Sequence, residues 1–62
     1  MESRKIIKIM KKAGWYQVAV KGDHHQFKHP EISGRATVPH PNKDIPIGTL
    51  KRIEQQTGLK FK

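Results

Sequence analysis

Residues 16–28 read Tyr16-Gln17-Val18-Ala19-Val20-Lys21-Gly22-Asp23-His24-His25-Gln26-Phe27-Lys28, and most of the architecture follows from them. Tyr16, Val18 and Val20 alternate with Gln17, Ala19 and Lys21, the period of a half-buried strand. Gly22-Asp23 is a turn signal that suits a hairpin. The run from His24 to His29 centres on Phe27 and reads as a second strand. A hairpin with one apolar face needs a further strand and a cover to be stable.

The flanks supply both. Downstream, His29-Pro30 to Gly34 is a loop rich in Pro, Ser and Gly. Arg35 to Val38 then gives a third short strand, with Ala36 and Val38 on one side and Arg35 and Thr37 on the other. Upstream, Ser3 is a candidate N-cap. Ile6, Ile7, Met10 and Ala13 share one face of a helix from Ser3 to about Ala13. Gly14 suits its left-handed end. The opposite face carries Arg4, Lys5, Lys8, Lys11 and Lys12, read as solvated or as a phosphate-contacting rim. Pro39-His40-Pro41-Asn42 interrupts regular structure. Pro46 fits the first turn of a second helix. Ile47, Leu50 and Ile53 form its expected buried stripe. Gly58 ends it, and Leu59 is placed to touch the Ile53 turn. The order is α-β-β-β-α: an α+β fold, a three-stranded antiparallel sheet with two helices on one face.

Composition bounds the function. The chain has 62 residues and a net charge of +8, and it is read as one domain over 1–62. A domain of about 60 residues buries only about 60% of its unfolded surface, which leaves no room for a deep substrate cavity. Chemistry belongs on a surface or in a shallow groove. The excess of cations points to an anionic partner. The absence of Cys excludes disulfides and thiolate metal sites and favours the cytoplasm. No apolar run approaches the roughly 18–20 residues of a membrane span, and membrane binding is not expected.

Parity assigns side chains to faces. With Phe27 in the core, His24, Gln26 and Lys28 point outward. Gln17, Ala19 and Lys21 are expected outward on the first strand, and Arg35 and Thr37 on the third. The open face then gathers Lys21, Lys28, Arg35, His24, Gln17, Gln26 and Thr37, with Asp23 the one carboxylate nearby. Such a face suits a phosphodiester backbone.

The four histidines do not make a metal site. His24 and His25 point to opposite faces. His25 and His29 lie roughly 13 Å apart along a strand. His25 reads as a partly buried neighbour of Phe27, His29 as a hydrogen bonder at a loop end, and His40 as a candidate lining of the same groove. Trp15 reads as a core or edge plug rather than a base-stacking platform. His24 differs, because it begins a strand directly after a glycine turn on the cationic face. A histidine side chain can take or give a proton at neutral pH. RNA carries its own nucleophile, the 2′-OH. One His with cations to stabilise a developing phosphorane is therefore a minimal nuclease.

Four segments resemble a known family. Lys21-Gly22-Asp23-His24-His25-Gln26-Phe27-Lys28-His29-Pro30 resembles the Gly-Ser-His-His-x-Phe/Tyr-x-His-Pro segment of HicA toxins. Ala36-Thr37-Val38-Pro39-His40 resembles their Thr-Val-Pro-x-His segment. Ile47-Gly48-Thr49-Leu50-Lys51-Arg52-Ile53, with Thr57-Gly58-Leu59, resembles their Gly-Thr-Leu-x-x-Ile helix, and Gly14-Trp15 matches the usual end of the first helix. The resemblance implies the toxin of a type II toxin–antitoxin system, a ribonuclease (mRNA interferase) that cleaves mRNA and blocks translation. It implies neutralisation by a HicB-like antitoxin protein, a fold like a double-stranded RNA-binding domain, and no metal or cofactor. Carried over residue by residue, it makes His24 catalytic and Gly22 the turn that positions it. Asp23 departs from the family's usual Ser. A carboxylate there orients the imidazole but opposes an incoming phosphate.

The expectation is thus a HicA-like ribonuclease, with His24 as general base or acid. Lys21, Lys28, Arg35 and Gln26 would hold RNA, and Lys21 or Lys28 would stabilise the phosphate. Two alternatives stay open: a non-catalytic RNA-binding module of the same fold, and an adaptor whose basic surface docks an acidic protein.

Overall fold

The chain folds, in a computed structural model that describes residues 1–61, as α1 (Ser3–Lys12), β1 (Tyr16–Lys21), β2 (His24–Lys28), β3 (Ala36–Pro39) and α2 (Ile47–Thr57). The strands form one antiparallel sheet in the order β1-β2-β3. Phe27, Ala36 and Val38 are fully buried on one face, where Ile6 and Met10 of α1 and Leu50 and Ile53 of α2 meet them. Burying each of these side chains other than Ala36 contributes roughly 1.5–3 kcal/mol. The helices make their main contacts with β3. The expected element order and the one-sided cover are both present.

Both ends of α1 are closed by backbone. At its start Ser3 is not the cap. It lies inside the helix and is 1% exposed, and Glu2 holds the cap position without a side-chain bond. The Ser3 N–H is satisfied instead by the Asn42 carbonyl at 2.9 Å. Its hydroxyl accepts from the Asn42 N–H at 2.9 Å and is hydrogen-bonded to His40 Nδ1 at 2.7 Å. A loop 39 residues away in sequence thus does what a cap side chain does elsewhere. At the other end Gly14 donates to Lys11 and Trp15 to Met10, the paired bonds of a Schellman ending. Gly14 has φ 101°, and a Cβ there would lie 2.8 Å from His29 Nε2, so conformation and space both require glycine.

The strict alternation expected along β1 does not hold. Gln17 pairs with Phe27 but Ala19 pairs with Gln26, so Val18 is an extra residue in a bulge. One extra residue exchanges the faces beyond it. Tyr16 therefore lies opposite Lys28 on the open face, and Gln17 sits on the Phe27 side, the reverse of the expected placement. Val20 lies opposite His25 on the Phe27 side, yet it stays 53% exposed, because β1 is the edge strand far from β3, over which the helices gather.

In α2, Pro46 is the N-cap rather than a first-turn residue, and Ile47 is 53% exposed rather than buried. At 3.6 residues per turn, a three-residue spacing drifts by about 60° per step. The stripe that follows the core is Leu50, Ile53 and Thr57, and Ile45 in the preceding loop fills the place expected for Ile47. Gly58 closes the helix with φ 74° and donates to the Glu54 carbonyl. Leu59 packs on the core, but its N–H bonds the Thr57 hydroxyl at 3.2 Å, not a helix carbonyl. Phe61 is also buried, its N–H held by Glu54 Oε2 at 2.9 Å.

Candidate functional site

The site begins at the β1–β2 turn. Lys21 and His24 are the closing pair of a two-residue loop. Gly22 has φ 62°, and positive φ does not extend to Asp23. That is the II′ pattern, which needs glycine at its first central position. A Cβ on Gly22 would meet nothing within 4 Å, so the requirement is conformational, not steric. The Asp23 carbonyl accepts the His40 N–H at 2.8 Å, which ties the turn to the end of β3.

Directly opposed residues share a face, so the register defines rows across the open surface. One row is Lys21, His24 and Pro39. The next is Ala19, Gln26 and Thr37. The third holds Tyr16 and Lys28. Arg35 precedes Ala36 and donates from its guanidinium to Gln26 Oε1 at 2.7 Å, which keeps it on this surface. His24, Lys21, Lys28, Arg35, Gln26 and Thr37 therefore share one face, as expected, while Gln17 does not. Tyr16, half exposed, takes its place.

His24 also lines a groove of about 530 Å³ between the sheet and α2. Thr37 and Pro39 continue its sheet wall. Thr49, Arg52 and Gln56 form the helix wall, at spacings of three, four and seven that put them on one helix face. Gln56 also accepts the Thr37 N–H at 3.3 Å, so α2 covers the free edge of β3. Sequence reasoning missed this wall. Its 3-4-7 spacing is visible in the chain, but spacing does not say which helix face turns toward the sheet edge.

The four histidines have four different settings. His29 Nδ1 accepts the Glu31 N–H at 3.0 Å, so its Nε2–H donates to the Ala13 carbonyl at 2.9 Å. Its ring also packs at 5.3 Å from Trp15, which is buried. His40 is hydrogen-bonded to Ser3 and does not line the groove. His25 is half-buried on the Phe27 side and meets His40 edge-on at 4.9 Å. Its Nδ1 is buried without a partner among the described residues. His24 is 62% exposed, and Asp23 Oδ1 lies 3.5 Å from its Nε2. It is the most exposed of the four histidines. Among the described residues no three His, Asp or Glu side chains come together as a metal-ligand set, and no helix is long and apolar enough to cross a membrane.

Residues 3–59 match the family model described as the HicA toxin of bacterial toxin–antitoxin systems. Among solved structures, a chain of a HicA3 and HicB3 toxin–antitoxin complex is similar over the full length of both chains, with 32% identity and a TM-score of 0.77. No curated protein sequence matches significantly.

Proposed function

The chain belongs to the HicA toxin family, and on that premise we propose that it is a ribonuclease toxin, an mRNA interferase, with His24 as its catalytic general base or acid. The observation that carries the reading is the position of His24. It is exposed at the mouth of a groove, on a face that also holds Lys21, Lys28 and Arg35. The other three histidines are only partly exposed, and His29 and His40 are hydrogen-bonded within the fold. A base at this place can take the proton of an RNA 2′-OH, whose oxygen then attacks the adjacent phosphorus. The cationic face would hold the backbone through its phosphates, with Gln26 and Arg35 acting as one hydrogen-bonded unit. Gly22 serves as the turn that aims His24. The reaction in this proposal needs no metal and no cofactor. A HicB-like antitoxin is the proposed protein partner, because a structural relative is found in a complex with HicB3. mRNA as substrate puts the action in the cytoplasm.

The test is cleavage of RNA by the wild type and His24→Ala in EDTA, followed on a gel, after both proteins are shown to be folded. Cleavage by the wild type alone is the expected result. Equal cleavage by both removes His24 from the chemistry. Binding of RNA by both with cleavage by neither assigns the chain to non-catalytic RNA binding instead.

A further inference from the structure

We propose that Arg52 of α2 is the second catalytic group, a cation that holds the phosphate opposite His24 while the pentacoordinate state forms. The inference rests on the ribonuclease reading of His24. It adds a residue that neither the sequence motifs nor the open-face register singles out.

The step sets the requirement. As the 2′-oxygen bonds to phosphorus, its proton goes to His24. The P–O5′ bond then breaks, and the 5′-oxygen leaves with a proton from solvent. Between these events negative charge gathers on the two non-bridging oxygens. A fixed donor aimed at them stabilises that state more than the bound substrate.

Three cations compete for the role. Lys28 lies four residues from His24 along β2, roughly 13 Å away, too far to share its phosphate. Lys21 is the cross-strand neighbour of His24, but it stands on the β1 side and does not line the groove. Arg52 does line it, on the helix wall across from His24. A phosphate lying in the groove would have the imidazole on one side and the guanidinium on the other. Arg52 makes no ion pair or hydrogen bond among the described residues, whereas Arg4 is beside Glu2 and Arg35 is bonded to Gln26. Its planar fork can engage two phosphate oxygens at once. Thr49, one turn earlier on the same wall, adds a hydroxyl donor.

The experiment compares Arg52→Ala, Arg52→Lys and Lys51→Ala in the full chain. Lys51 is the charge-matched control, because it is exposed on the same helix but lines a different hollow with Glu54 and Lys60. Single-turnover cleavage of an in-vitro transcribed mRNA is measured at saturating protein. RNA affinity is measured separately, with each change placed in the His24→Ala background. Arg52→Ala is expected to lower the saturated rate by about 100-fold, the usual loss of one such donor. Its RNA affinity should fall by less than about tenfold, as for one lost phosphate contact. Arg52→Lys should recover part of the rate, and Lys51→Ala should leave it within about threefold of wild type. A saturated rate for Arg52→Ala equal to that of Lys51→Ala, or a loss in affinity alone, overturns the assignment. A wild type that does not cleave, or a His24→Ala that cleaves as fast, sinks the ribonuclease reading itself, and the role of Arg52 falls with it.

Discussion

At the scale of single residues, Asp23 is the side chain that most directly modifies the site. Its carboxylate is 67% exposed and 3.5 Å from His24 Nε2. A unit charge at about 4 Å is worth about 1 kcal/mol in water, roughly fivefold in an equilibrium. Asp23 opposes a phosphate that approaches His24, so Asp23→Ser should tighten RNA binding roughly fivefold at low salt. Titration of labelled RNA into the His24→Ala and His24→Ala/Asp23→Ser proteins measures this directly. Unchanged affinity would mean that the phosphate never comes near the turn. The sequence announced this residue by its departure from the family motif. It also separated His24 from the other histidines by parity and turn chemistry. It did not show that His40 is spent on Ser3, because that contact joins residues 37 positions apart.

At the scale of elements, strand and helix identities were legible while two faces were not. The apolar residues of β1 alternate as a core strand does, but alternation fixes sides only while the register is unbroken. The bulge at Val18 sends Tyr16 to the open face beside Lys28. A half-exposed tyrosine on a cationic sheet can serve as a stacking platform, and a base stacked on an aromatic contributes about 1–3 kcal/mol. Tyr16→Ala should therefore weaken single-stranded RNA binding about fivefold or more, with thermal stability nearly unchanged. If the midpoint of unfolding drops while RNA affinity stays constant, Tyr16 belongs to the fold and not to the ligand surface. In α2 the three-residue spacing of Ile47, Leu50 and Ile53 reads as one stripe, but the drift per step carries Ile47 out of it. Leu50→Ala should destabilise the protein by about 2–5 kcal/mol. Ile47→Ala should stay within about 0.5 kcal/mol. Urea unfolding of the two variants distinguishes the true stripe from the apparent one.

At the scale of the whole molecule, two groups of cations point different ways: Lys21, Lys28, Arg35 and Arg52 around the sheet face, and Lys8 and Lys12 on the outer side of α1. The α-β-β-β-α order was legible because each element carries its own period and its own stop signal. What joins the elements was not. The loop at residues 40–45 closes over the start of α1 through Asn42 to Ser3, Ile45 to Met1 and the terminal amine to Asp44 at 2.9 Å. These are long-range pairings with no local signature. They set α1 with Ile6 and Met10 inward, so Lys8 and Lys12 face away from the sheet. The two basic surfaces can therefore be titrated apart. Each phosphate neutralised on a single strand adds about 0.7 to the slope of log affinity against log salt. If RNA lies across Lys21, Lys28, Arg35 and Arg52, the slope for the His24→Ala protein should be near −3. Lys28→Ala should then reduce its magnitude by about 0.7, whereas Lys8→Ala should leave it unchanged. Equal effects from the two substitutions would mean that RNA binds the net charge and not the sheet face. A larger effect from Lys8→Ala would move the interface to the outer surface of α1.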